Sequence, residues 1–224
     1  MEYNKNTDML NKESQNQTKN SDNLNESSGI KLRGHIKIFD PDTKEIFVDK
    51  PNAIHYENFS IALAQSVGNQ GFGWISEMEF GNGGSRVDPT GIITYLTPNS
   101  LGLNAALYNK TYSKVVDPYS NSNLDSTRNF MEYRHVAGAT YSDVLISCLL
   151  DFGEPSGQLA FDNSSNLDGN YVFDELGLRS YSADGSGMGN LLTHVIFHPI
   201  QKSLNRLIQV DYTIRIQALS GTGA

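Results

Sequence analysis

His194 and His198 stand four residues apart, the spacing by which a helix turns two imidazoles toward one metal ion. Their setting argues against that chemistry. Val195, Ile196 and Phe197 favour an extended chain and Pro199 ends the run; four residues of strand span about 13 Å, too far for one ion. A structural role is expected for both rings. Asp40, Asp42 and Glu45 gather hard oxygen donors of the kind calcium takes, but the further ligands and the glycine of a helix-loop-helix site are missing, so a solvated turn is expected. Asp162 and Asp168, set among Asn163, Asn166 and Asn170, read as a surface loop. Gly81-Asn82-Gly83-Gly84-Ser85-Arg86 offers consecutive main-chain amides and a guanidinium, the parts of an anion nest. It lacks the Lys-Ser/Thr ending of a phosphate loop and precedes a turn rather than a helix, so a strand connection at a subunit contact is expected. There is no Gly-x-Ser-x-Gly elbow. The chain is therefore expected to carry no catalytic residues, no metal site and no cofactor.

What remains is recognition chemistry. Lys31, Arg33, His35 and Lys37 form a local basic stripe. Two readings stand: a docking edge for an acidic neighbour, or a solvated edge strand guarded by lysine against aggregation. Tyrosine is common, with 11 residues against 1 Trp, and suits contacts that are apolar on the ring face and polar at the tip. The expected interaction residues are Lys31, Arg33, Lys37, Asn82, Arg86, Tyr108, Tyr112 and Tyr119.

A formal net charge of -8 opposes broad attachment to nucleic acid, which needs clustered Lys and Arg to neutralise phosphates. No sequence-specific nucleic-acid partner is expected. Cys148 is the only cysteine, so no internal disulfide can form, and its apolar surroundings in Val144–Leu150 make it a buried small hydrophobe. The opening residues lack a basic-then-apolar leader, and no apolar run approaches the roughly 20 residues that cross a bilayer. No membrane partner is expected. Asn58-Phe59-Ser60 and Asn109-Lys110-Thr111 match the glycosylation triplet, as chance would provide in an Asn-rich chain.

The elements that must position these residues are strands. Residues 1–29 are uncharged-polar and Asn-rich, and bury too little apolar surface to offset ordering entropy of about 1–2 kcal/mol per residue. They are expected to be an extended or disordered arm that gains shape on a neighbour, with residues 30–224 forming one β-rich body. In that body Ile30, Leu32, Ile36 and Ile38 alternate with the basic stripe as a half-buried strand. A turn at Asp40–Thr43 returns it through Glu45–Val48. One helix is expected from Glu57 or Asn58, with Phe59, Ala62, Leu63 and Val67 at helical spacing and Gly68 at its end. Trp74, Met78 and Phe80 alternate with Glu77 and Glu79, and Gly81–Gly84 is expected to need positive φ values.

Ile92–Leu96 and Ser113–Val116 read as strands, and Leu103–Tyr108 as a short helix or strand within a long contact-making stretch from Thr97 to Thr127. Phe130–Ala137, Thr140–Phe152, Tyr171–Leu178 and Leu191–Phe197 follow as strands. Leu207–Leu219 has the clearest alternation, with Ile208, Val210, Tyr212, Ile214 and Ile216 inward. The expectation is an all-β, mainly antiparallel protein, a β-sandwich or jelly-roll-like body with one or two short helices.

Four segments carry a resemblance: Ile36–Asn58 (Ile36-Lys37-Ile38-Phe39-Asp40-Pro41-Asp42-Thr43, then Val48-Asp49-Lys50-Pro51-Asn52-Ala53-Ile54-His55-Tyr56-Glu57-Asn58), Phe80–Gly84, Val172–Leu178, and Leu191–Ile216. Together they are similar to virion structural proteins of tailed bacteriophages, of the neck, tail and baseplate type. The resemblance implies a non-enzymatic subunit located in the virion, assembled in the host cytoplasm, whose partners are copies of itself in a symmetric homo-oligomer and other virion proteins at the head-tail junction or tail. A second reading stays open, a β-sandwich module that binds a glycan or a host receptor through the Thr97–Thr127 loop and its tyrosines.

Overall fold

The structure is a computed structural model, and it describes residues 29–155 and 170–219. The expected arm therefore lies outside the described residues apart from Gly29, as do Asp162, Asn163, Asn166 and Asp168. Among the described residues, eleven strands and one helix follow in the order β1 (Gly29–Phe39), β2 (Ile46–Ile54), α1 (Tyr56–Val67), β3 (Ile75–Gly81), β4 (Ser85–Val87), β5 (Ile93–Tyr95), β6 (Lys110–Val115), β7 (Phe130–His135), β8 (Tyr141–Leu150), β9 (Asn170–Ser180), β10 (Leu191–Ser203) and β11 (Ile208–Leu219). Nine strands form one sheet in the order β6-β3-β9-β10-β2-β1-β11-β8-β7, and β4 and β5 pair apart as a small hairpin. Every pairing is antiparallel. The all-β expectation holds.

The large sheet curls so that its two ends approach each other. Lys114 Nζ on β6 donates to Leu149 O on β8 at 2.6 Å, and one apolar cluster takes Met78 and Phe80 from β3 together with Ile146 and Cys148 from β8. The alternation in the sequence sets which residues face inward. Ile36 and Ile38 on β1 and Val210, Tyr212 and Ile214 on β11 are fully buried or nearly so. Burying one such side chain contributes about 1.5–3 kcal/mol. Phe173 anchors the middle, its ring edge-on to Phe80 at 5.5 Å and to Phe197 at 5.7 Å. Cys148 is enclosed in this core, and burial pushes its thiol up to about 12.

The opening hairpin forms as expected. Asp40 Oδ1 accepts from the amides of Asp42 and Thr43, and Arg206 bridges Asp40 and Glu45, so these carboxylates stabilise a turn. Several other expectations are corrected. The helix begins at Tyr56, and its cap is His55, whose Nδ1 accepts from Asn58 N. Leu103–Tyr108 is irregular chain, and the strand expected over Ile92–Leu96 shortens to β5. Phe152 lies beyond β8 and is exposed, because the chain turns away at Asp151. Gly81, Gly83 and Gly84 have no positive φ. They are glycine for lack of room: a Cβ on Gly81 would lie 2.5 Å from Asn109 O, and one on Gly83 2.7 Å from Asn109 N.

Candidate functional site

The close approach at those glycines belongs to a roof. Residues 82–110 fold back over the outer face of β3, β9 and β10, the face opposite the apolar core. Beneath the roof sits a buried polar layer of Glu79, Asp174, Glu175 and His194, flanked by Glu77 and Arg179, which bind Gly187 N and Gly189 O of the β9–β10 connection. Gly177 lets the roof settle, since a Cβ there would meet Thr193 O at 2.7 Å and Leu107 Cδ2 at 3.2 Å.

Glu175 is the hub. Its Oε1 accepts from Gly83 N at 3.0 Å and Asn109 N at 2.7 Å, and its Oε2 from Tyr108 N at 2.9 Å. His194 Nε2 completes the set at 3.0 Å from Oε2. Burial alone would raise this carboxyl, but the bonds from His194 and the three amides outweigh it and hold the group below its ordinary value. Beside it Asp174 accepts from Gly84 N at 2.9 Å and from the Ser85 hydroxyl. There burial wins over those bonds and the carboxyl is raised. Glu79 is held by Lys110 at 2.9 Å and Arg179 at 2.8 Å. The glycine-rich segment is thus an anion nest after all, and its anions are the protein's own carboxylates.

A buried His–Glu pair invites a catalytic reading, and hydrogen-bond geometry answers it. Asn99 N donates to His194 Nδ1 at 2.8 Å, so that nitrogen offers a lone pair and Nε2 carries the proton given to Glu175. Neither nitrogen is left for a substrate. His55 is spent in the same way, accepting from Asn58 N and donating from Nε2 to Gly102 O at 3.0 Å. Asn58 Nδ2 reaches Leu103 O and Leu191 O, so Asn58 is a buried strut of the roof. Ser142 Oγ lies 3.1 Å from His135 Nδ1, but that nitrogen also faces the Tyr141 carbonyl at 3.1 Å, an acceptor that requires it to hold a hydrogen. It cannot take a proton from Ser142. His198 meets Tyr95 Oη at 3.0 Å, within the irregular stretch of β10 between Ile196 and Ile200. Among the described residues, no group of three or more His, Cys, Asp or Glu side chains is placed to hold a metal ion.

The residues expected to make contacts do not share one surface. Lys31 and Arg33 line a groove of about 700 Å³ with His35, Pro51, Tyr56, Leu101 and Arg215. Lys37, at the far end of β1, lies over the Phe39 ring instead. Asn82 and Tyr108 are brought together by the roof: Asn109 Nδ2 donates to Asn82 Oδ1, and Tyr108 Oη donates to Thr97 O at 2.7 Å while its ring packs on His194. Both brace the roof, and Tyr108 is still 43% exposed. Arg86 sits on the exposed β4 hairpin. Tyr112 packs against Phe80 and lines a polar cleft of about 480 Å³ in which Lys114 meets Glu154 and Arg128 meets Asp125 and Asp151. Tyr119 is 94% exposed at the rim of a third groove, apolar and about 540 Å³, with Trp74, Met131 and Tyr133.

Reading the sequence missed His55, Asn58 and Glu175 as roof anchors. The signal available was the pair of adjacent acids set among strand-forming apolar residues in Val172-Phe173-Asp174-Glu175-Leu176. Among the described residues, no helix is long and apolar enough to cross a membrane. No family model, curated protein or solved structure matches the chain.

Proposed function

We propose that this chain is a non-enzymatic structural subunit of a tailed phage particle, assembling with copies of itself and with other virion proteins at the head-tail junction or tail. The observation that carries the reading is where its chemistry is spent. The groups most like a reaction centre, Glu175, His194 and His55, are consumed in holding residues 82–110 to the sheet. The unspent groups lie outside, as the Lys31 and Arg33 cations, exposed Tyr119 and Tyr133, and the outermost strands β6 and β7. A rigid body with contact chemistry on its surfaces suits an assembly, in which one modest patch is used many times. Mass spectrometry of purified phage particles is the test: the chain should be found at a fixed copy number per particle, and its absence from intact virions ends the reading.

The apolar groove favours a second reading. Trp74 stacks on Tyr181 at 4.5 Å and stands beside exposed Tyr119 and Tyr133, an aromatic platform of the kind sugars stack on. In that case the protein is a glycan- or host-receptor-binding module. A glycan array with the purified chain separates the two, because selective retention of one glycan class by the isolated protein supports the module.

A further inference from the structure

The groove beside Lys31 and Arg33 exists because two strands part company. β2 pairs with β1 only from Gly34↔Asn52 to Phe39↔Ile46, then leaves, and its Ala53 and Ile54 pair with His194 and Thr193 on β10. The first half of β1, Gly29–Arg33, pairs with β11 alone. In an antiparallel strand alternate residues turn both N–H and C=O to the same side, so this half presents unpaired main-chain groups toward the space β2 vacated. Such an edge is a template for an added strand.

The side chains around it specify what kind of strand. Arg215 is bound bidentately by Asp143, and His35 by Asp49 at 3.0 Å. Lys31 and Arg33 form no ion pair among the described residues, although Glu57 also lines the groove. Ile30 is 63% exposed, and Pro51, Tyr56 and Leu101 give the groove apolar walls. Two cations on one face of the strand, with apolar walls beside them, call for an extended segment that carries acidic and apolar side chains on one face. The chain itself has one, Asp22-Asn23-Leu24-Asn25-Glu26, whose alternation puts Asp22, Leu24 and Glu26 on a single face. Its five residues match the five of Gly29–Arg33, a length of about 16 Å.

We infer that Asp22–Glu26 of a second copy of this chain lies as an antiparallel added strand along Gly29–Arg33, with Asp22 opposite Arg33 and Glu26 diagonal to Lys31. This rests on the assembly reading above and names its contact. A second copy is favoured over the same chain by turn chemistry. To reach the slot in cis the segment must reverse through Ser27-Ser28, and two-residue hairpin turns need positive φ, which Gly, Asn and Asp supply and Ser does not.

A charge swap in the full chain tests it, read as mass by light scattering at low salt. The Lys31→Glu/Arg33→Glu variant and the Asp22→Lys/Glu26→Lys variant should each assemble about tenfold more weakly than the unaltered protein, and an equimolar mixture should regain the original affinity. Mixing works because each variant's segment then matches the other's slot. Restoration on mixing also shows that both variants are folded. If the unaltered protein assembles and the variants do so equally well, the slot is not the contact and the inference fails while the assembly reading stands. If both variants weaken but mixing restores nothing, the slot holds its own chain's segment or a foreign acidic one, and the inference is overturned. A chain that stays monomeric at every concentration, alone and with other virion proteins, removes the assembly reading and this inference with it.

Discussion

The two halves of the sheet use the same alternating pattern to opposite ends. In the half formed by β1, β11, β8 and β7 the polar face is open: Arg33, His35, Glu132 and Arg134 meet water, and Arg215 with Asp143 makes a partly exposed pair. In the half formed by β3, β9 and β10 the polar face lies under residues 82–110, and Glu79, Glu175 and His194 are fully buried. The comparison teaches that period-two alternation reports which face is apolar, and says nothing about whether the polar face is wet. Burying a carboxylate is costly unless it is hydrogen-bonded, and Glu175 offsets that cost by binding the roof that buries it.

The largest difference between the halves should appear on removing the hub. Glu175→Ala leaves three amides and His194 without an acceptor, and should destabilise by about 3–5 kcal/mol in urea unfolding. The matching change in the open half, Glu132→Ala, should cost less than about 0.5 kcal/mol. Hydrogen exchange should show the amides of Gly83, Tyr108 and Asn109 losing protection in the first variant and keeping it in the second.

Next in size is the close fit of the roof. Gly83→Ala drives a Cβ to 2.7 Å from Asn109 N and 2.8 Å from Tyr108 Cβ, and should cost about 1–3 kcal/mol by thermal unfolding. At Gly29 a Cβ meets nothing within 4 Å, so Gly29→Ala should be close to neutral.

Acid titration sharpens the contrast within the roofed half, because its two adjacent carboxyls have opposite signs. Glu175 is lowered in the fold, so its contribution is fully present above the ordinary value of 4.5 and drains away as pH falls through the folded value. Asp174 is raised above 3.8, so its ionisation opposes folding and stability is gained as pH falls through its folded value. Glu175→Gln should flatten the acid limb of a stability–pH curve, and Asp174→Asn should steepen it. A small effect is expected at the ion pair of the open half: Asp143→Asn, which releases Arg215, should cost only about 0.2–1 kcal/mol and less at high salt.

Much of the scaffold was legible in the chain. The inward row Ile208, Val210, Tyr212 and Ile214, the Asp40 turn, the Gly68 helix end and the lone buried Cys148 follow from periodicity and local turn chemistry, which act over a few residues. The candidate surfaces were legible only in part. Lys31 and Arg33 were visible as a stripe, but the slot beside them depends on β2 crossing to β10, and no residue of β1 records where its neighbour goes. Asn82 and Tyr108 suit surfaces by residue type, and only the structure shows that they also brace the roof, through bonds to Asn109 and Thr97.

By itself the sequence determined the strands, the apolar face of each, the acidic charge and the lack of any local catalytic signature. Tertiary structure alone decided that Glu175 and His194 meet, that the glycines at 81–84 serve close packing rather than positive φ, and that β1 keeps a free edge. The reason is range. Side-chain alternation and turn preferences are set by neighbours along the chain, whereas burial of a polar group and the pairing of a strand edge are set by distant segments, 19 residues away for His194 and 92 for Gly83 in the case of Glu175.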